Sequence, residues 1–264
     1  GIVSGVWLIG LVTVLVQNLA GLAAAYGGRR SDLGRHDAGL ILGLRSYLKH
    51  ISKEDIQRLM KADPDYYFNL VPYALALGAY QTNCYIIHEE TSKTCCVIDP
   101  GYDADVILDK LEALGLTLEA IVLTHGHFDH VGAVKDLAAE TQCDVYIHPE
   151  DLSMPPMMTA GPLYYTKTYT EGSVLKLAGL EIAVLHTPGH TPGSVCLLAE
   201  TTIFSGDTLF QGSCGRTDLP GGDWATICKS LTRLAALEGN FWVFSGHGPS
   251  TTLRDEKKYN PYMK

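Results

Sequence analysis

The chain has 264 residues, of which 46% are hydrophobic, 19% charged and 9% aromatic. That composition is too apolar for a disordered chain and too varied for a fibre, and the length suits one or two domains. The formal net charge of −9 argues against a nucleic-acid-binding surface.

The charge divides the chain. Residues 1–79 carry eight basic and six acidic side chains, whereas residues 80–264 carry 12 and 23. Eight of the ten histidines lie in the second stretch, which is where chemistry is expected. The seven cysteines are scattered and form no C-x-x-C pair; Cys84, Cys95, Cys96 and Cys196 sit in apolar runs. Reduced, mostly buried thiols in a reducing compartment are the expectation.

Residues 1–79 read as an N-terminal helical segment. Residues 2–26 contain no charge and are long enough to span a bilayer as a helix. Arg29, Arg30 and Arg35 follow, which places the rest of the chain on the cytoplasmic side. A secretory signal and a buried helix are the rival readings of this span. Ser52 and Asp55 form a capping-box-like helix start, with Ile56, Leu59 and Met60 on one face. Asp63-Pro64-Asp65 breaks that helix, and YYFNLVPYALALG reads as a second apolar helix ending at Gly78.

From Tyr80 the pattern becomes short apolar runs that end in turns. Asn83-CYII and TCCVIDPG pair as a hairpin, and Asp103 to Leu114 shows a helical apolar face. AIVLT, DVYIHPE, SVLKLAG, LEIAVLHTPG, SVCLLAE, TTIFSGD and FWVFSG are further strand-then-turn units, and Asp223 to Leu237 is the last long helix. Many short strands with a few interleaved helices predict two packed sheets with helices outside.

Four of these strands end in a tight turn bearing His125, His190, Asp207 or His247. Strand-end turns are where a rigid scaffold presents reactive groups. The first turn reads Thr124-His125-Gly126-His127-Phe128-Asp129-His130. Three imidazoles and a carboxylate so close together are costly to bury unless they are paired or hold a metal. Imidazole and carboxylate suit zinc, iron or manganese. His125 and His127 can reach one ion while Asp129 and His130 reach a second. A solvated histidine-rich loop is the bland alternative.

The H-x-H-x-D-H run, followed in order by His190 in HTPGHTPGS, Asp207 in FSGDTLF and His247 in SGHGP, resembles the metallo-β-lactamase superfamily over residues 80–264. The GDTLFQGSCGRTDLPGGD stretch is most similar to glyoxalase II-type hydrolases of the small bacterial kind, which lack an extra C-terminal helical domain. Residues 1–78 resemble the C-terminal tail of a family of uncharacterised bacterial membrane proteins. The two resemblances meet between Leu77 and Tyr80, as in a fusion of two unrelated genes.

The first resemblance implies an α/β fold, a four-layer αββα sandwich preceded here by the helical N-terminal segment. It also implies two divalent metal ions, zinc first and iron or manganese next. His125, His127 and His190 would hold one ion, Asp129, His130 and His247 the other, and Asp207 would bridge them. The implied activity is hydrolysis of a small-molecule thioester by a metal-bridging hydroxide, with Asp129 and Asp207 as catalytic carboxylates. The site would face the cytoplasm, tethered to the membrane through residues 2–26. Asp99 has a family counterpart near the ligands and is expected to orient a histidine, with Thr124 in a similar supporting part. His148 and His186 are expected to be structural. Arg216 and Asp218 would pair internally or shape the substrate mouth, and Cys214 would be a small packing residue. The loops Met154–Thr159 and Leu163–Tyr165 could overhang a cleft. A mononuclear iron persulfide dioxygenase of the same superfamily, a group that shares the GRTD region, and a non-enzymatic, membrane-tethered binding module are the competing readings. β-Lactam and nucleic-acid hydrolysis are disfavoured, the latter by the acidic charge of residues 80–264.

Overall fold

Apolar residues recur at every second position or in short continuous runs through most of this chain, and the resulting strands build two sheets. In the computed structural model the chain divides into two units, Gly1–Tyr66 and Tyr67–Lys264, and residues 70–264 are described. The expected membrane helix over 2–26 and the helix start at Ser52 lie outside the described residues. Among the described residues no helix is long and apolar enough to cross a membrane.

The first sheet has six strands: β1 (Leu70–Leu77), β2 (Thr82–Glu89), β3 (Thr94–Ile98), β4 (Thr117–Val122), β5 (Asp144–Ile147) and β6 (Lys167–Thr168), in that spatial order. β1 to β3 pair antiparallel and β3 to β6 parallel. The parallel crossovers carry α1 (Ala104–Leu114), the single turn α2 (Phe128–Val131), α3 (Val134–Thr141) and α4 (Pro156–Thr159). The second sheet comprises β7 (Val174–Leu177), β8 (Leu180–His186), β9 (Val195–Ala199) and β10 (Thr202–Gly206), joined through β10 by parallel pairing to β13 (Trp242–Ser245) and edged by β14 (Thr251–Thr252). A two-stranded hairpin, β11 (Leu209–Phe210) and β12 (Ser213–Cys214), projects beyond it. The helices α5 (Trp224–Ala235) and α6 (Leu253–Tyr259) complete the fold.

Three apolar layers bind these parts into the expected αββα sandwich. Between the sheets, Tyr85, Ile87, Ile182, Leu197 and Phe204 are buried together. Phe204 is fully buried there, with Tyr85 and Phe244 at ring-centroid distances of 5.2 and 5.7 Å. Ile107 and Leu111 of α1 and Val134 and Leu137 of α3 cover the outer face of the first sheet. Ile227, Leu231 and Leu234, spaced on one face of α5, cover the second sheet together with Leu253 of α6. All seven cysteines are unpaired, and five are buried: Cys84, Cys95, Cys96 and Cys196, as their apolar runs predicted, and Cys143 besides.

One expectation is corrected. The stretch read as an apolar helix ending at Gly78 contains strand β1, which pairs along its whole length with β2 from Leu70↔Glu89 to Leu77↔Thr82. Its alanines suggest a helix, but Tyr73, Leu75 and Leu77 alternate and pack on the helix-covered face of the sheet, while Ala74 and Ala76 are exposed. Pro72 is tolerated because β1 is an edge strand. The first sheet therefore starts ahead of the expected boundary at Tyr80.

Candidate metal centre

β4 ends at Val122, and the chain bends at Thr124 and reaches His127, whose backbone is extended, before α2 begins at Phe128. His125 and His127 thus leave the segment ahead of α2, while Asp129 and His130 leave the first helical turn. Past β8, β10 and β13 come His190, Asp207 and His247. The fold brings all seven to one place between the sheet ends.

They fall into two groups. His125, His127 and His190 have ligand atoms within 4.8 Å of one another, and so do Asp129, His130 and His247. Asp207 lies between the groups. Its Oδ2 is 3.5 Å from His190 Nε2 and 3.5 Å from His247 Nε2, and its Oδ1 is 3.4 Å from His130 Nε2. Gly246 makes this approach possible, because a Cβ there would collide with Asp207 Oδ1 and His130 Cε1.

Hydrogen bonds on the far side of each ring select its tautomer. His190 Nδ1 donates to the Arg216 carbonyl at 2.8 Å, which turns the Nε2 lone pair inward. His130 Nδ1 donates to Asp99 Oδ2 at 3.0 Å, which leaves Nε2 facing Asp129 and Asp207. The Thr124 hydroxyl donates to that Asp99 oxygen at 2.5 Å, so it can accept from His125 Nδ1 at 3.1 Å. Asp99 also accepts from the Thr124 N–H at 2.7 Å. Asp99 therefore orients His130 directly and His125 through Thr124. Thr82 Oγ1 donates to Asp129 Oδ2 at 3.2 Å. Asn83 and Tyr85 of β2 donate to the Ser245 carbonyl and so fix the loop of His247.

Burial, followed by the neighbouring imidazoles, holds His125 well below its ordinary pKa and brings His127 down to about 4. These rings are neutral and can present lone pairs. In the second group, burial opposes protonation of His130, but Asp207, Asp99 and Asp129 outweigh it and raise the ring to about 9. Burial would raise the Asp129 carboxyl, yet the His247 hydrogen bond and the His130 charge hold it below the usual carboxylate range.

The pocket fits a pair of cations. Among the described residues, seven buried side-chain atoms have no hydrogen-bond partner, and four are His125 Nε2, His127 Nε2, His130 Nε2 and Asp207 Oδ1. His127 Nδ1 and His190 Nε2 lie 2.9 Å apart, close enough to face one centre. Leaving such groups unmatched costs about 1–3 kcal/mol each, so a mixed imidazole and carboxylate set of this kind suits divalent metal.

The remaining candidates separate clearly. His148 and His186 are stacked 4.3 Å apart at 13°, and His186 Nε2 is bonded to the Pro192 carbonyl. Glu150 completes a nominal three-residue group with them. Imidazole lone pairs lie in the ring plane, so two stacked parallel rings do not aim at one ion. Arg216 and Asp218 form an exposed, two-pronged ion pair with both contacts at 2.7 Å. The Arg216 carbonyl reaches the site, a role its side chain does not advertise. Cys214 packs against the core of the second sheet. Leu163 lies over Gly126, while Tyr164 and Tyr165 are exposed. Tyr80 meets Phe128 edge-on at 5.2 Å beside Asp129. Sequence reasoning missed Asp151, a fully buried carboxylate in the 3-10 turn Pro149–Ser153, because no motif surrounds it.

The family model of the metallo-beta-lactamase superfamily matches residues 77–247. Hydroxyacylglutathione hydrolase GloC of Haemophilus influenzae is 36% identical over 204 residues, covering 72% of this chain and 96% of that protein. The crystal structure of BLEG-1, titled a B3 metallo-beta-lactamase, is 36% identical with a TM-score of 0.68, covering 73% of this chain and 99% of that one. The structure of TTHA1623 in a di-iron-bound form is 39% identical with a TM-score of 0.63, covering 72% and 99%. A family match across most of the described residues, on this sandwich and around this pocket, makes the chain a glyoxalase II-like member of the metallo-β-lactamase superfamily.

Proposed function

We propose that the chain is a dinuclear metal-dependent hydrolase that cleaves a thioester of the hydroxyacyl-glutathione type. The observation that carries this reading is Asp207, whose two oxygens face imidazoles of both three-residue groups. The name of the Haemophilus relative supports the substrate class. His125, His127 and His190 would hold one cation, Asp129, His130 and His247 the second, and Asp207 both. When bound, such a pair supplies an acidified water and an electrophilic pull on a carbonyl oxygen, and zinc, iron or manganese serves the donors. Asp129 offers its carboxylate to the attacking water's proton, and Thr82 and His247 keep it in place. Tyr80 and Phe128 form an apolar rim that limits water beside it.

The test is thiol release from a hydroxyacyl thioester by the full chain after loading with zinc, iron or manganese. His127→Ala and Asp207→Ala should each lower the rate by roughly 10³-fold, as expected when several kcal/mol of transition-state stabilisation is lost. A metal-loaded chain inert to every thioester offered overturns the reading. A mononuclear iron enzyme that oxidises persulfides is the second reading. It is favoured by the GRTD loop, which the sequence resemblance links to such enzymes and whose Arg216 carbonyl holds His190. One iron per chain together with oxygen uptake on a persulfide would establish it instead.

A further inference from the structure

Asp151 has no solvent exposure, and three donors converge on its carboxylate. The Gly126 N–H reaches Oδ2 at 2.8 Å, the Thr191 hydroxyl reaches Oδ2 at 3.0 Å, and the Gly193 N–H reaches Oδ1 at 2.6 Å. Gly126 stands between His125 and His127, and Thr191 directly follows His190. One carboxylate from the turn after β5 therefore ties a loop of the first sheet to a loop of the second. A Cβ on Gly193 would lie 2.7 Å from Asp151 Cγ, so glycine alone allows this approach. The second group is held differently, by Asp99 on His130, Thr82 on Asp129, and Asn83 and Tyr85 on the loop of His247.

We infer that Asp151 is a positioning residue that fixes the separation of the His125/His127 loop from the His190 loop, and so sets cation affinity at that group alone. This rests on the dinuclear reading above. All three partners are donors, which an acceptor-only carboxylate satisfies. An amide in its place would turn an NH2 towards at least one of them, and the two loops would part.

Stepwise zinc titration of the full chain by calorimetry tests this, with no reliance on turnover. The wild type should take up two equivalents. In Asp151→Asn one equivalent should keep its affinity and the other weaken about 10–100-fold, the range for loss of a group that orients ligands. The weakened step should be the one missing in His127→Ala and retained in His247→Ala. Thr191→Val removes one of the three bonds and should give a smaller loss at the same step. It carries the test if Asp151→Asn does not fold. Unchanged affinities, or equal weakening of both steps, in a folded variant overturn the inference alone. A wild type that takes up no cation overturns the dinuclear reading with it.

Discussion

Replacing Asp99 by Asn preserves shape and removes one charge, yet it should disturb both cation sites. The buried carboxylate accepts from the Thr124 N–H, the Thr124 hydroxyl and His130 Nδ1. An amide whose oxygen stays with the Thr124 N–H presents its NH2 to the other two. His130 must then accept at Nδ1 and carry its proton on Nε2, the atom that faces Asp129 and Asp207. The Thr124 hydroxyl turns away, and His125 loses the acceptor that fixes its tautomer. Hydrogen bonds to charged groups contribute about 1.5–3 kcal/mol each, so two compromised bonds amount to about 3–6 kcal/mol of stability. Cation affinity should fall about 10–100-fold at the group containing His130 and less at the group containing His125. Urea unfolding of the metal-free protein reads the first quantity, and stepwise zinc titration reads the second. An Asp99→Asn protein with wild-type stability and two unchanged affinities would refute the tautomer argument.

Phe204→Ala removes a fully buried ring that touches Tyr85 and Phe244, and should cost about 3–5 kcal/mol, read as a lower urea midpoint at an unchanged m-value. A loss below about 1 kcal/mol would mean that the space between the sheets closes over the gap. Chelation should lower the unfolding midpoint reversibly, since each cation present at about a thousand times its dissociation constant adds about 4 kcal/mol; an unaltered midpoint in a chelated sample shown to be metal-free contradicts this. Asp223 caps α5 by accepting from the Thr226 N–H at 2.7 Å, and this bond holds its carboxyl below the ordinary value. A depressed carboxyl stabilises the fold above the unfolded pKa of about 4 and loses that contribution as pH falls through the folded value. The stability difference between wild type and Asp223→Asn should thus be flat above about pH 5 and shift in favour of Asn in stronger acid; an identical difference at pH 6 and pH 3 would show that the cap is not titrating.

The pocket was legible because its seven side chains sit at strand ends and are too polar to be buried without purpose. Their division into two groups follows from the change at Phe128, where the segment after β4 becomes a helical turn. Asp99 could be assigned a supporting role because the family resemblance supplies a counterpart at that position. Asp151 could not, since its partners are Gly126, Thr191 and Gly193, distant in sequence, and its own surroundings, Pro149-Glu150-Asp151, look like an ordinary solvated turn. Arg216 drew attention for its guanidinium, whereas its carbonyl makes the contact with His190. β1 was misread because local propensity favoured the helix that its alanines suggested, while strand pairing with β2 decided the outcome.

That pairing has a practical consequence for anyone cutting the gene. A fragment opened at Tyr80, the boundary expected from the sequence, would strip off an eight-residue strand and leave β2 as a bare border. β2 carries Cys84, Ile86 and Ile87, all fully sheltered in the intact protein. Such a border recruits further chains, so this fragment should precipitate or self-associate. One opened at Tyr67 should stay monodisperse by light scattering.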